Sequence, residues 1–400
     1  MSRSSYLPMF SLTRLGLFFV ALLVANGVTM TAQDSPKKKQ PQNQQEMLDV
    51  WIGTGRSQLS QGIYHTQLNT STGKLSQVTL VAEADGPGFL ALHPKLPILY
   101  TVCELDKKPV VAAYAVDTGK GRASLKLVDS VEIGDGGAAH LSVEPTGHTL
   151  LTAQYGTGSV GVFALNDDGS IRSRTQLVKH EGGSKVDPKR QEAPHAHWTG
   201  FSPDNRFAFV PDLGLDKVVI YRLDAANSKI EPHGFGQLPA GSGPRHMKFD
   251  NSGRFIFVLN ELALTITVFR YDAQAGNMTP IETVETVPAS EKDKEQAISA
   301  SEIRVHPNGR FVYSANRGHD TITAFSFDES KGHLTFIERE HVRGATPRNF
   351  NIDPTGKWLL AAGQDSHTLA AFAIDPKTGE LTYNRSCVTT PSAICVLFGK

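Results

Sequence analysis

The sequence predicts an all-β protein, a seven-bladed β-propeller closed by pairing the C-terminal strand with the N-terminal blade. Two observations carry that expectation. One strand–turn–strand pattern recurs six times, about 50 residues apart. Incomplete pieces of the same pattern stand towards the two ends of the chain.

The copies begin at Leu90 (LALHPKLPILYTV), Leu141 (LSVEPTGHTLLTA), Thr199 (TGFSPDNRFAFVPD), Met247 (MKFDNSGRFIFVLN), Ile303 (IRVHPNGRFVYSAN) and Phe350 (FNIDPTGKWLLAAG). Each has a short apolar strand, a polar turn and a second apolar strand. A third strand follows, as in VVIYRLD, ITVFRYD, ITAFSFD and LAAFAID. Proline sets the first corner of the turn and Gly or Asn the second, as in Pro145-Thr146-Gly147, Pro203-Asp204-Asn205, Pro307-Asn308-Gly309 and Pro354-Thr355-Gly356. Loops such as Asp167-Asp168-Gly169 and Lys377-Thr378-Gly379 reverse the chain into a fourth strand. No sustained helical periodicity interrupts the repeats. Four strands per unit make a propeller blade. Leu48 to Leu75 reads as a blade without its first strand. Ser392 to Phe398 (SAICVLF) reads as a first strand without a blade. Joined, they form the seventh blade and remove the sheet edges that an open ring would expose. A pair of stacked β-sandwiches explains neither the repeated spacing nor the orphan strands.

Arg3 and Arg14 precede an apolar run from Leu15 to Val28, and Thr31-Ala32 places small residues behind it. This is the layout of a secretory signal, expected over residues 1–32. The run is short for a membrane span, and a retained membrane anchor is the alternative. Residues 33–46, with DSPKKKQPQNQQ, are polar and low in complexity and are expected to be a disordered linker. The propeller domain then occupies 47–400. The expected location is periplasmic or secreted, with no membrane contact once the signal is removed.

The chain has 40 Lys+Arg against 40 Asp+Glu, so no global field attracts nucleic acid or an anionic membrane. An anionic ligand must be held by a local cluster of cations. Cys103, Cys387 and Cys395 are too few for a disulfide scaffold, although one bridge stays open. None has zinc-like spacing, so neither a metal nor another cofactor is expected. The expected partner is a small anionic molecule, and the expected state a monomer.

In a propeller, the residues entering each first strand meet at one mouth of the central channel. Here they include Ala138-Ala139-His140, His195-Ala196-His197, Gly243-Pro244-Arg245-His246, Ala300-Ser301-Glu302 and Thr346-Pro347-Arg348. His195 and His197 are two apart, so on a strand they face the same way. They are either channel-lining hydrogen-bonding groups or half of a metal site with no further ligands in evidence. Arg245 enters one strand and Glu261 ends the next, so both should reach the same mouth. A structural salt bridge is the plainer account, but buried ion pairs are costly and concentrate at active sites. Arg317, in Asn316-Arg317-Gly318-His319-Asp320, holds the matching position one blade on and should approach Glu261; otherwise it is a solvated loop residue.

These residues carry a resemblance. The stretch His180 to Asp212, with its PKRQEAPHAH core, resembles the lactonase family of seven-bladed propellers, as do GPRHMKF, LNE, ANRGHD and PRNFNIDPTGKWLLAAGQ. The family includes bacterial 6-phosphogluconolactonases and a carboxy-cis,cis-muconate cyclase. The resemblance runs from about Trp51 to Phe398. It implies a catalytic set of His197, Arg245, Glu261 and Arg317. His195, His140, His246, Arg348 and Gln364 are expected to bind substrate or shape the pocket. The implied function is hydrolysis of a sugar lactone of the 6-phosphogluconolactone kind, with His197 as base. Glu261 is its orienter or the alternate base, and the arginines bind anions. A muconate-type lactonising enzyme and a non-catalytic binding propeller are the alternatives.

Overall fold

The computed structural model describes residues 47–119, 122–292, 294 and 297–399. The expected signal and linker lie outside the described residues. The chain enters on β1 (Met47–Thr54), β2 (Gly62–Asn69) and β3 (Thr79–Glu83). Blade two is β4 (Asp85–Leu92), β5 (Ile98–Leu105), β6 (Lys108–Asp117) and β7 (Ser124–Glu132). Blade three is β8 (His140–Val143), β9 (Thr149–Gln154), β10 (Ser159–Leu165) and β11 (Ile171–Lys179). Blade four is β12 (Gly200–Phe201), β13 (Phe207–Asp212), β14 (Lys217–Asp224) and β15 (Lys229–Gln237). Blade five is β16 (Pro244–Phe249), β17 (Phe255–Asn260), β18 (Thr265–Asp272) and β19 (Asn277–Glu285), followed by a single helical turn, α1 (Ala289–Lys292). Blade six is β20 (Ser299–Val305), β21 (Phe311–Arg317), β22 (Thr321–Asp328) and β23 (His333–His341). Blade seven is β24 (Pro347–Ile352), β25 (Trp358–Gly363), β26 (Thr368–Ile374) and β27 (Leu381–Thr389).

The last strand, β28 (Ala393–Phe398), completes the first blade, giving the sheet order β28-β1-β2-β3. Its register sets Val396 opposite Ile52 and Leu397 opposite Trp51. The closure expected from the two orphan segments is therefore present.

The core lies between blades. Second strands such as β9, β13, β17 and β25 are buried along their whole length because a neighbouring blade covers each face. Outer strands such as β7 are mostly exposed. One apolar cluster fills each junction. That between blades seven and one joins Val50, Ile52 and Val396 to Leu360, Leu369 and Ala371, all of them buried. The buried Cys103 and Cys395 share the cluster between blades one and two, yet all three cysteines are free. The bridge left open by the sequence is not formed.

The turns contain a device that Pro and Gly alone do not reveal. A side-chain acceptor at the end of the first strand gathers the N–H groups of its own turn. Asp250 accepts from Phe255 N at 2.7 Å and Asp353 from Trp358 N at 2.7 Å. Glu144 takes His148 N at 2.6 Å, and Ser202 takes Phe207 N at 3.0 Å. Where histidine stands there, its far nitrogen reaches the next blade. His93 meets Gly147 O at 3.2 Å and His306 meets Gly356 O at 2.7 Å. Both glycines have positive φ, and a Cβ on either would strike the imidazole.

Ile52 is fully buried at the closing junction, whereas Leu127 is 46% exposed on β7. Ile52→Ala should cost about 2–5 kcal/mol of stability. Leu127→Ala should stay within about 0.5 kcal/mol. Denaturant unfolding of both variants, followed by circular dichroism, checks the contrast.

Candidate active site

The first strands begin irregularly, and that irregularity aims the site. In β16, Pro244 pairs with Asn260 and His246 with Leu259, so Arg245 is the extra residue of a bulge. In β24, Pro347 pairs with Gly363 and Asn349 with Ala362, which makes Arg348 the extra residue there. A bulge turns a side chain out of the regular alternation. Arg245 and Arg348 both line the channel mouth.

Glu261 follows β17. Its N–H donates to Gly243 O at 2.7 Å, and its carbonyl accepts from Ala300 N of blade six at 3.1 Å. The carboxylate is buried among three guanidinium groups. Arg190 Nη2 donates to Oε1 at 2.7 Å. Arg317 Nη2 lies 3.2 Å from Oε2 and also donates to Ala300 O. Arg245 Nε lies 2.9 Å from Oε2, in Coulomb contact but without hydrogen-bond alignment. Burial alone would raise the Glu261 pKa, but Arg317 and Arg245 override it and hold the carboxyl far below the usual range. Burial, with Arg317 alongside, brings Arg245 down to about 9, so it stays charged at neutral pH.

Arg348 has no ion pair or hydrogen bond to its guanidinium among the described residues. Its pKa is lowered by burial and by Arg317. His197 is 5% exposed and lines the same space, with Nδ1 unpartnered. Burial, then Arg245 and His246, push its pKa well below the ordinary histidine value, so the ring is neutral. Two adjoining lobes of about 410 and 420 Å³ share Ala139, Tyr155, His197 and Arg348. Each lobe falls in the size range of small-molecule sites. Four guanidinium groups thus surround one carboxylate beside a neutral imidazole. The arrangement can hold an anion, stabilise a developing oxyanion and accept a proton.

The floor of the site is a layer of rings. Phe89 lies tilted against His140 with ring centres 4.0 Å apart, and His140 meets His246 at 5.5 Å and Trp198 at 5.3 Å. His246 Nδ1 donates to Glu302 Oε1 at 3.0 Å, which leaves Nε2 to accept from Arg245 Nη1 at 3.1 Å. Burial, then Arg245 and Lys248, keep this imidazole neutral despite Glu302.

The structure brings His197, Arg245, Glu261, Arg317 and Arg348 to one mouth, with His246 in its floor. It does not bring His195, His140 and Gln364 into the lining. Ala196 pairs with Asp212 in an isolated bridge and the rings of both flanking histidines meet Tyr155, so the two share a side, but His195 reaches neither lobe. Its ring instead stacks on Tyr155 at 4.6 Å while Nδ1 meets Tyr155 O at 2.8 Å. His140 faces the lower side of the ring layer. The Gln364 amide oxygen is buried without a partner, away from both lobes. Among the described residues, no three His, Cys, Asp or Glu side chains are grouped to hold a metal ion.

Two functional residues carry no motif in the sequence. Arg190 comes from the long connection between β11 and β12 and also donates to Tyr155 Oη at 3.0 Å. Asp216 ties that connection to blade five. It accepts from Gln191 Nε2 at 2.8 Å and from Gly243 N at 2.8 Å, so it positions both Arg190 and Arg245. The only signal was the length of that connection, some 20 residues against the short entries elsewhere.

His140, His197 and His246 are all held neutral in the fold, chiefly by burial. The unfolded chain binds protons at these positions below about pH 6.5 and the folded one does not. Stability should therefore fall as pH drops below that value, by about 1.4 kcal/mol per pH unit for each ring. Urea unfolding at pH 8, 7, 6 and 5.5 should show this slope, and His140→Phe should flatten it.

Residues 49–398 match the family model described as "Lactonase, 7-bladed beta-propeller". The chain is 35% identical to a 6-phosphogluconolactonase of Bacillus subtilis over 75% of its own length and 83% of that protein. It is 31% identical to a 6-phosphogluconolactonase of Formosa agariphila, over 72% and 81% of the two chains. Among solved structures, the periplasmic gluconolactonase of Pseudomonas aeruginosa superposes with a TM-score of 0.82 at 30% identity, covering 88% of this chain and 99% of that one. The ring, the site at its mouth and these likenesses agree: the chain belongs to the lactonase family of seven-bladed β-propellers.

Proposed function

We propose that this protein hydrolyses an aldonolactone carrying an anionic group, in the manner of a 6-phosphogluconolactonase. The observation that carries the reading is the uncompensated positive charge around a neutral imidazole: Arg348 unpaired beside His197, with Glu261 already taken by three other arginines.

His197 is the general base. A water bound against it loses a proton to the imidazole and attacks the lactone carbonyl carbon. The carbonyl oxygen becomes an oxyanion facing Arg317. Collapse of the tetrahedral intermediate breaks the ring C–O bond. The imidazolium returns its proton to the departing alkoxide, and the open-chain hydroxy acid leaves as its carboxylate. Glu261 is a positioning residue rather than a base, because its carboxylate is stabilised too strongly to take a proton. It holds Arg190, Arg245 and Arg317 together against their mutual repulsion. The substrate's phosphate or carboxylate is assigned to Arg348. Export through the leader at 1–32 belongs to the same reading. Its supports are the apolar run in the sequence and the periplasmic description of the Pseudomonas relative.

A pH-stat assay of the purified protein with 6-phosphogluconolactone and glucono-δ-lactone tests the proposal. Acid release above the spontaneous rate is expected; its absence with both substrates removes the reading. His197→Ala should lower kcat about 10²–10⁴-fold. Arg348→Ala should raise KM for the phosphorylated lactone more than for the plain one. The acid limb of kcat/KM should lie below the ordinary histidine range near pH 6.5, because the free imidazole resists protonation.

A further inference from the structure

Beneath the ring layer, the channel opens into a second cavity of about 670 Å³ at the opposite mouth of the propeller. Its walls come from the later residues of the first strands, among them Leu141, Phe201, Phe249 and Leu397. This apolar wall carries nitrogen donors with little to receive them. Trp198 is 7% exposed, and its Nε1 has no acceptor. Arg304 Nε is buried and likewise unpartnered, although its Nη2 lies 3.2 Å from Glu302. Lys248 Nζ rests 5.0 Å from the Trp198 ring centre and has no carboxylate partner among the described residues. Other polar groups of the lining are engaged. Ser142 and Thr199 bond each other at 2.8 Å, and Asn351 Nδ2 donates to Val396 O at 3.0 Å.

Unanswered buried N–H groups are costly, and a set composed only of donors asks for an acceptor. We propose that this cavity is a binding site for a small carboxylic acid with an apolar body, its carboxylate set between Lys248, Arg304 and Trp198. Charge complementarity selects the acid over a neutral molecule, and the wall selects an alkyl or aryl tail. Burial, then Arg304, lowers the Lys248 pKa to about 7, and an anion placed there would restore its charge. The site is independent of lactone hydrolysis, since the ring layer of Phe89, His140 and His246 separates it from the other mouth.

The test titrates the intact protein with octanoate, phenylacetate and octanamide, read by calorimetry and by tryptophan fluorescence. Trp198 is the tryptophan of this cavity; Trp51 and Trp358 pack in blade junctions elsewhere. Saturable binding of one acid at one site is expected, with octanamide at least about tenfold weaker. Lys248→Met should weaken the acid by at least about tenfold. Trp198→Phe should remove the emission change, and Arg348→Ala should leave acid affinity as it was. The proposal is overturned by equal affinity for acid and amide, or by no saturable binding of either acid. An unaffected Lys248→Met, or loss of acid binding in Arg348→Ala, also overturns it. The acid-against-amide comparison needs no variant, so it decides even where Lys248→Met fails to fold.

Discussion

Ring closure is the constraint on which the rest of the molecule depends. No blade has a core of its own; each buries its faces only against its neighbours. The pairing of β28 with β1 makes the first and last blades neighbours in the same sense as any other two. Closure also fixes the curvature at which the inner strands meet. Arg190, Arg245, Arg317 and Arg348 come from four separate stretches of chain. They share one opening only because the ring returns on itself.

Within that opening, the difficulty is like charge. Guanidinium groups concentrated in a partly buried space repel, and burial costs each of them solvation. Glu261 answers the repulsion by meeting three arginines with one carboxylate, and its backbone is pinned by Gly243 of its own blade and Ala300 of the next. Arg348 is left without such an answer, which separates the arginines that build the site from the one open to a ligand. The bulges at Arg245 and Arg348 serve the same end. Regular pleating alternates side chains between the two faces of a blade, whereas a bulged residue is turned out of that alternation, here to the channel mouth.

Much of this was legible beforehand. Turn residues at fixed offsets betrayed the repeat, and the orphan pieces Leu48 to Leu75 and Ser392 to Phe398 betrayed the closure. Matching positions in successive blades placed Arg317 near Glu261. What the repeat does not settle is how far along the channel each side chain reaches. Alternation puts His195 and His197 on one side, and both rings meet Tyr155, but His195 ends against that ring outside the lobes. His140 was set at the site mouth by its position in the repeat, one residue too deep to reach it. Arg190 is hidden because a long connection carries no periodicity, and Asp216, in the turn between β13 and β14, because only the folded path brings Gln191 and Gly243 to it. The turn acceptors were present in every copy, but their chemistry varies among His, Glu, Ser and Asp, which hid a shared geometry.

The ring layer under the site has a consequence for traffic. Phe89, His140 and His246 make the upper chamber a blind well instead of a tunnel. A molecule that enters must leave by the way it came, and no successor can load from behind. Opening a lactone adds a negative charge to the occupant, so for such a reaction the cationic lining grips what is made more firmly than what arrived. On the proposed hydrolysis, a dead-end vessel of this polarity slows departure of the acid relative to entry of the lactone.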